Sequence, residues 1–550
     1  MADNYDDYTR EQLLRLLRER DRRPRFGLVW ERDEIDHDLS VNNDFVALDW
    51  DAELSCGEGP QRNLIIEGDN FDALRTLRMT HAGRVKCIYI DPPYNTGNRD
   101  FIYNDRFVDK EDSYRHSKWL EFMYRRLELA KELLREDGVI FVSIDDNEVF
   151  HLGLLMEQVF GEKNQIATCV WQKRYSREST SAIGDVHEYL LVYAICPVMF
   201  KEARNRLSLD EKNKKAFSNP NNDCRGPWQS ISFTGAGYRP NQMYQIVAPN
   251  GNIHLPPEGR HWAMVENEYR KLEAAKRLWW GKDGNGVPRV IRYLSEVDGL
   301  VPWTWWPHEE VGHTDEARKE IQSIFGTQTA FDTPKPVRLI ERILRIGTKP
   351  GDIVLDFFAG SGTTAQAVLN LNREDGGDRR FILVSNTEAT VEAPGKNLCR
   401  DVCAERVRRV ITGYSNKKGL AVEGIGGGFA YLRCRRIPAA TVFRGIEHAQ
   451  VWTALQLIHD MALTPYQNGL PMQAAENARG LVIYLPKLTE AVLDALQTAM
   501  HAAGQAVVYS WQPALLAQRL TDPRLAFEPI PAFLVHRFGA RSSVATRGRP

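Results

Sequence analysis

At 550 residues and 43% apolar composition the chain is long enough for two to four domains with full cores, and no apolar run reaches membrane-spanning length. A net charge of −2 excludes a uniformly basic nucleic-acid coat but leaves room for a local basic surface. Eight cysteines without a CxxC pair point to reduced thiols rather than a metal site, Cys399 and Cys403 having no further Cys or His nearby. The charged start "MADNYDDYTREQLLRLLRER" lacks an apolar signal core, so a soluble cytoplasmic protein is expected.

Residues 9–23 predict a surface helix, with Thr9 and Gln12 as a capping box and Leu13, Leu14, Leu16 and Leu17 as its apolar stripe. Residues 62–66 and 85–90 ("VKCIYI") predict buried strands, with "GDNFDALRTL" entering a helix between them. A long amphipathic helix is expected over 113–136, stopped by Asp137-Gly138, with "VIFVSID" (139–145) as the next strand. Strand–helix alternation of this kind predicts an open α/β sheet with parallel strands.

From about 161 the pattern changes. Eight of the thirteen Trp fall between 171 and 306, and residues 171–290 carry 18 Lys and Arg against 12 Asp and Glu, a local +6. Such an insert suits nucleic acid, with cations for phosphates and planar groups for bases. The same Trp residues would also serve as an ordinary core. Within the charge run at 173–215, Lys173, Arg174, Lys212, Lys214 and Lys215 are the candidate phosphate contacts; a solvated face is the alternative. The α/β pattern returns at 333 with "TPKPVRLIERILRI", then "GDIVLDFFAGSGTTAQAVLNLN" as strand, Gly-rich turn and helix, then "RRFILVSN" (379–386). One sheet is thus split in sequence by the insert. After "GIGGG" (424–428) a further α/β segment runs to 539, and the tail "GARSSVATRGRP" has a disordered composition.

Two stretches carry chemistry. In "VLDFFAGSGTT" (354–364) the strand ends at Asp356, Gly360 and Gly362 let backbone approach a ligand, and a helix opens near Thr363. No GxxxxGK[ST] occurs, so no ATP hydrolysis is expected. In "CIYIDPPYNTG" (87–97) a buried strand hands Asp91 to a loop stiffened by Pro92 and Pro93 and followed by Tyr94. This arrangement fits an exocyclic amine on a heteroaromatic ring. The Asp91 carboxylate and the Pro92 carbonyl would take its two hydrogens and direct its lone pair at an electrophile, while Tyr94 stacks on the ring. The loop reads as a clamp for a base taken out of its helix.

In these motifs the chain resembles the amino-group DNA methyltransferases that use S-adenosylmethionine. The order of DPPY, aromatic insert and "FFAGSG" matches their β-class adenine-N6 members. The stretches "DPPYNTGNRDFIYNDRF" (91–107), "FDTPKPVRLIERIL" and "ERVRRVITGY" (405–414) look most like the modification subunits of Type III restriction systems. The resemblance covers roughly 26–415. It implies that Asp91, Pro92, Pro93 and Tyr94 hold the target. It also implies that Asp356, Phe358, Gly360 and Gly362 line the cofactor site, with Thr363 and Thr364 at the helix mouth. Asp69 would contact the cofactor's adenine, or else cap the following helix. Lys335 would lie near the methionine carboxylate, or else be a solvated residue at a helix start. The Phe101/Tyr103 pair either packs the loop or touches the flipped base. The strand after the cofactor loop ends "VSNTE", with Ser385 and Asn386 where relatives often carry an acidic ribose ligand and Glu388 three residues late.

The expected fold is therefore a Rossmann-like, S-adenosylmethionine-dependent methyltransferase sheet, circularly permuted in motif order. Its expected parts are a helical arm (1–40), a catalytic half (41–160), an inserted target-recognition domain (161–325), a cofactor half (326–436) and a small C-terminal α/β domain (437–550). The expected function is transfer of a methyl group from S-adenosylmethionine to adenine N6 in double-stranded DNA, without a metal, within a restriction-modification or related defence system. The resemblance also implies a homodimer and a separate restriction polypeptide. The alternatives are a cytosine-N4 enzyme, a non-catalytic DNA-binding specificity subunit, and an enzyme acting on RNA or a protein amide.

Overall fold

The computed structural model describes residues 9–14, 28–31, 41–97, 101–103, 106–176, 182–209, 211–326, 330–390, 393–477, 480–500 and 504–539. The capping box forms: the Thr9 N–H donates to Gln12 Oε1 at 2.8 Å, and the Gln12 N–H to Thr9 Oγ1 at 3.3 Å. The continuation of that helix through Leu16 and Leu17, and the tail from 540, lie outside the described residues. Among the described residues no helix is long and apolar enough to cross a membrane.

The first half of the chain contributes β1 (Phe45–Cys56), β2 (Leu64–Glu67), α1 (Asn70–His81), β3 (Val85–Ile90), α2 (Arg115–Leu133), β4 (Leu134–Ile144), α3 (Val149–Phe160), β5 (Gln165–Gln172) and β6 (His187–Ala194). The second half adds β7 (Trp305–Trp306), α4 (Val337–Gly347), β8 (Ile353–Asp356), α5 (Thr363–Asp375), β9 (Arg380–Ser385), α6 (Glu405–Thr412) and β10 (Phe429–Ile437). All ten strands form one sheet, in the order β1-β10-β2-β9-β8-β3-β4-β6-β5-β7. The strands from β10 to β4 run parallel, whereas β1 and β6 run against their neighbours, so the sheet is mixed rather than wholly parallel. Strands covered on both faces need near-continuous apolar sequence, and "VKCIYI" and "IVLD" supply it. Strand β8 stands beside β3, with Val354 facing Cys87 and Leu355 facing Ile88. On one side of that pair the sheet continues through β9, on the other through β4. This reversal of strand order is where open α/β sheets bind ligands, beyond the carboxyl ends.

Helix α2 is shorter than the sequence predicts. The chain enters β4 at Leu134, which pairs with Val85, and the register then shifts before Val139 faces Cys87. Asp137-Gly138 lies inside this irregularity instead of ending a helix. The reason is Lys86, a buried cation on β3, whose Nζ donates to Asp137 Oδ2 at 2.7 Å and to the Asp137 carbonyl at 2.6 Å.

The segment 161–325 divides. Strands β5, β6 and β7 join the main sheet, and residues 206–302 form a separate compact unit. That unit has a three-stranded sheet (Leu278–Trp279, Arg289–Tyr293, Trp228–Ser232). Its small cores gather Phe233, Ile246, Trp262 and Tyr269, and separately Trp228, Ile291 and Tyr293. Its two ends are tied together: the Leu207 N–H donates to the Leu300 carbonyl at 2.9 Å, and the Leu300 N–H to the Leu207 carbonyl at 2.8 Å. The core role expected of the insert's Trp residues holds for half of the eight. Trp171, Trp228, Trp262 and Trp306 are core, whereas Trp303 and Trp305 are exposed.

Beyond β10, strands Gln473–Asn477, Gly480–Leu485, Ala506–Ser510 and Leu525–Pro529 make a second, four-stranded sheet in chain order. Tyr484, Tyr509, Leu534 and Phe538 of this part share a core with Phe45 and Val46 of β1 and with Trp452.

Leu355 is fully buried in β8 between β9 and β3. Leu355→Ala should cost about 2–5 kcal/mol of unfolding free energy, read as a lower urea midpoint at unchanged m-value.

Candidate active site

The carboxyl ends of β3 and β8 open on one cleft of about 1200 Å³. Asp69, Asp91, Pro92, Pro93, Tyr94, Lys173, Arg174, Lys335, Asp356, Phe358, Gly360, Thr363 and Thr364 all line it, so most residues singled out in the sequence converge here. Gly362 sits one step behind the lining, at the start of α5. Lys214 and Lys215 belong to the 206–302 unit and are exposed; the Lys212 side chain lies outside the described residues.

The DPPY loop is held from behind. Trp119, fully buried on α2, donates its indole N–H to the Pro93 carbonyl at 2.7 Å. Asn95, buried with φ of 57°, donates to Glu148 Oε1 at 2.6 Å and to the Arg115 carbonyl at 3.3 Å. The buried Glu148 also meets His116 Nδ1 at 2.6 Å and His151 Nδ1 at 2.8 Å. The Glu148 hydrogen bond holds the His151 imidazole above its ordinary range. His116, Glu148 and His151 thus bring ligand-type atoms within 4.8 Å of one another. Both carboxylate oxygens are engaged there, and what the group holds is Asn95. Among the described residues no donor reaches the Pro92 carbonyl, the acceptor that the clamp requires.

In front of the loop lies a chain of alternating charges. Lys335 Nζ is 2.8 Å from both carboxylate oxygens of Asp91 and 3.5 Å from Glu188 Oε2. Lys173 Nζ is 3.5 Å from Glu188 Oε1 and 2.8 Å from Asp185 Oδ2. The Tyr94 hydroxyl stands between the two acids, 2.8 Å from Asp91 Oδ1 and 3.0 Å from Glu188 Oε2. Having one proton, it serves one of them at a time. Burial pushes Asp91 above the ordinary carboxylate range, Lys335 opposing and Glu188 reinforcing the rise. Burial works against the Lys335 ammonium, but Asp91 and Glu188 outweigh it and hold its pKa up. Lys335 is therefore not a solvated residue at a helix start. Lys173, expected among phosphate contacts, is buried and paired inside this array, whereas its neighbour Arg174 is exposed at the cleft.

The Gly-rich loop after Asp356 is equally tied. Asp356, buried, accepts the Phe358 N–H at 3.1 Å on Oδ1 and the Thr364 hydroxyl at 2.6 Å on Oδ2. The Thr363 hydroxyl accepts from Arg406 Nη1 at 2.7 Å, and the same nitrogen reaches Ser361 at 3.0 Å. Both threonines thus brace the turn. Gly360 (φ 49°) and Gly362 (φ 77°) occupy the left-handed region. Added side chains would also collide: a Cβ at 360 would stand 3.1 Å from the Phe331 ring, and one at 362 would stand 3.0 Å from the Cys403 carbonyl. Asp69 fulfils the capping reading, accepting the Phe71 N–H at 2.8 Å, while still lining the cleft and lying 3.3 Å from Arg126. Asn386 is exposed and Glu388 pairs with Lys396 at 2.7 Å; both line the same cleft. Phe101 packs at 5.2 Å from the Phe122 ring, whereas the Tyr103 side chain lies outside the described residues.

Glu188, Trp119, Arg126 and Arg406 were not legible as site residues. Glu188 had a signal: it is the one carboxylate in "HEYLLVYA", an otherwise apolar strand. Arg406 had a weaker one, lying fully buried on the side of α6 that carries Val407 and Val410.

The family model described as DNA methylase matches residues 85–393, and the chain belongs to this family of N6/N4 methyltransferases. The Mod subunit of the Type III restriction-modification enzyme StyLTI of Salmonella typhimurium is 36% identical over 386 residues, 63% of this chain and 57% of that protein. The Type II methyltransferase M.KpnI of Klebsiella pneumoniae is 34% identical over 342 residues, 58% of this chain and 79% of its own length. The chain thus spans a little over half the length of the Mod subunits it matches. A solved DNA modification methylase of Thermus thermophilus aligns with 66% of this chain and 99% of its own at 13% identity, with a TM-score of 0.30, too low to weigh.

Burial raises the Asp356 carboxyl from 3.8 to about 7. Between those values the folded state binds a proton that the unfolded state does not, so this group makes the protein less stable as pH rises. In the ligand-free protein Asp356→Asn should flatten the fall in Tm between about pH 4 and pH 7. A variant profile parallel to wild type would refute the assignment.

Proposed function

We propose that the chain is a site-specific DNA methyltransferase that moves the methyl group of S-adenosylmethionine to N6 of an adenine flipped out of double-stranded DNA. One observation carries this reading: Asp91 and the Asp356–Gly362 loop reach a single cleft from adjacent strands. Family membership supports the DNA methylase class, and the DPPY form of the target loop supports adenine over cytosine.

The residues present fit the cofactor. Gly360, in the left-handed region that glycine favours, lines the cleft together with Asp356, Phe358 and Asp69, and Gly362 opens α5 just behind it. S-adenosylmethionine, when bound, supplies a methyl group on a positively charged sulfur. The protein's own part is to prepare the nucleophile. An aryl amine is weak because its lone pair is delocalised. With the Asp91 carboxylate and the Pro92 carbonyl each accepting one N6 hydrogen, the lone pair is freed to point at the methyl carbon. Pro92 and Pro93 fix the backbone, Trp119 and Asn95 anchor it, and Tyr94 offers a ring face to the base. Positioning and electrostatics then supply the rate.

The 206–302 unit is proposed to read sequence, with Lys214 and Lys215 neutralising phosphate. By likeness to Mod subunits, a separate restriction polypeptide and a homodimeric state are proposed as well.

Expression in a methylation-free host, followed by sequencing that detects modified bases, should return N6-methyladenine within one motif; N4-methylcytosine or no modification would overturn the reading. Asp91→Ala should lower transfer of labelled methyl to DNA at least tenfold, consistent with the loss of several kcal/mol of contact at the reacting amine, while DNA binding persists. Replacing Lys214 and Lys215 by Gln should weaken binding to all sequences and reduce the slope of log K against log salt by about 2; an unchanged slope would place the phosphate contacts elsewhere.

A further inference from the structure

The Lys335 ammonium is paired with the acceptor that the proposed reaction needs. It lies 2.8 Å from each oxygen of Asp91, so in the resting site both acceptor atoms intended for an incoming amine are already engaged. Each carboxylate oxygen has a second lone pair, but the Tyr94 hydroxyl takes one of these, so an incoming N6 competes with Lys335 for Asp91. A buried ammonium is not released into an apolar wall, because an unpaired charge there costs several kcal/mol. It needs a second anion within a short swing.

Glu188 is that anion. Its Oε2 is 3.5 Å from Lys335 Nζ, at the edge of an ion pair rather than in a full hydrogen bond. Glu188 is buried and points at the cleft from β6, a strand whose other inward positions are apolar. Its other oxygen is steadied by Lys173 at 3.5 Å. The path between the two anions is lined by π faces: Lys335 Nζ is 5.0 Å from the Tyr94 ring centroid and 5.9 Å from that of Trp171. Such faces tolerate a cation in transit. The Tyr94 hydroxyl already bridges Asp91 and Glu188, so a proton donor is in place for whichever acid the ammonium leaves.

We propose that Glu188 is a positioning residue for methyl transfer: it draws Lys335 off Asp91 when the target amine enters, and so switches the clamp from closed to receptive. This rests on the methyltransferase reading above. Glu188 touches neither the base nor the methyl group; it acts through Lys335.

The test is single-turnover transfer of labelled methyl from saturating S-adenosylmethionine to saturating DNA carrying the motif. Glu188→Gln leaves Lys335 with Asp91 alone, and should slow the step at least tenfold while cofactor and DNA affinities stay within twofold of wild type. Lys335→Met leaves the partly buried Asp91 carboxylate without its cation and should itself be slow. Because Glu188 acts through Lys335, adding Glu188→Gln to Lys335→Met should change the rate less than twofold, whereas an independent structural role predicts a further loss. A Glu188→Gln rate within twofold of wild type, or a double variant more than twofold slower than Lys335→Met, overturns the proposal. Should Glu188→Gln fail to fold, Glu188→Asp carries the test: it keeps the charge at a longer reach and should show a lower rate at saturation with both affinities unchanged. A loss confined to KM, or no loss, overturns it. If the wild-type protein itself transfers no methyl group to DNA, the methyltransferase reading fails, and that outcome is distinct from wild-type transfer with an unaffected Glu188→Gln.

Discussion

The site depends on one pairing between strands that are far apart in the chain. Leu355 faces Ile88, and through that parallel contact β8 and β3 end side by side. Asp356 and Asp91 are thereby delivered to one cleft, though neither motif contains anything that recognises the other. The strands can pair there because both are apolar on both faces and each already has a neighbour on its far side, β9 for β8 and β4 for β3. A carboxylate at the end of such a strand is buried by its surroundings. Asp356 bears that cost because its two oxygens collect the Phe358 N–H and the Thr364 hydroxyl. Asp91 bears it because Lys335 sits on both of its oxygens.

Two kinds of rigidity surround these acids. The DPPY loop is braced by directed bonds from behind: the Trp119 indole on the Pro93 carbonyl, and the Asn95 amide on a glutamate that two imidazoles also hold. The Gly-rich loop is braced by Arg406, a fully buried cation bonded to Ser361 and Thr363. Between the loops, by contrast, the charged groups are linked by ion pairs of unequal length. The two loops are thus tied by directed hydrogen bonds, and the ion pairs between them span 2.8 to 3.5 Å.

Local sequence showed the strands, the turn and the clamp because each is written in a few consecutive residues: "CIYIDPPY" needs no distant partner to declare a buried strand ending in a stiff acidic loop. It did not show the pairing partners of the charges. Lys173 looked like a phosphate contact because its neighbours are basic; its burial is set by Asp185 and Glu188, which only the β5–β6 pairing brings near. Glu188 was invisible for the converse reason: a lone acid in "HEYLLVYA" has meaning only once Lys335, from the other half of the chain, is beside it. The helix boundary at 133 was missed because Lys86, on another strand, pulls Asp137 into the sheet. Aromatic richness marks both the separate 206–302 unit and strands β5 and β7, which belong to the main sheet, so composition alone does not separate them.

The paired ends of that unit bear on how so split a sheet can form at all. To join β3 to β8 the chain must close a loop that includes everything between Ile90 and Ile353. The entropy lost in closing a loop grows with the logarithm of its length, each doubling adding about 0.6 kcal/mol. The two hydrogen bonds between Leu207 and Leu300 bring the ends of the unit together, so once it has folded, the intervening residues count as a short link rather than as slack. Its length then hardly enters the entropy of assembling the ten-stranded sheet. A unit fastened in this way can grow, shrink or change its surface while the cost of bringing the two halves of the main sheet together stays almost the same.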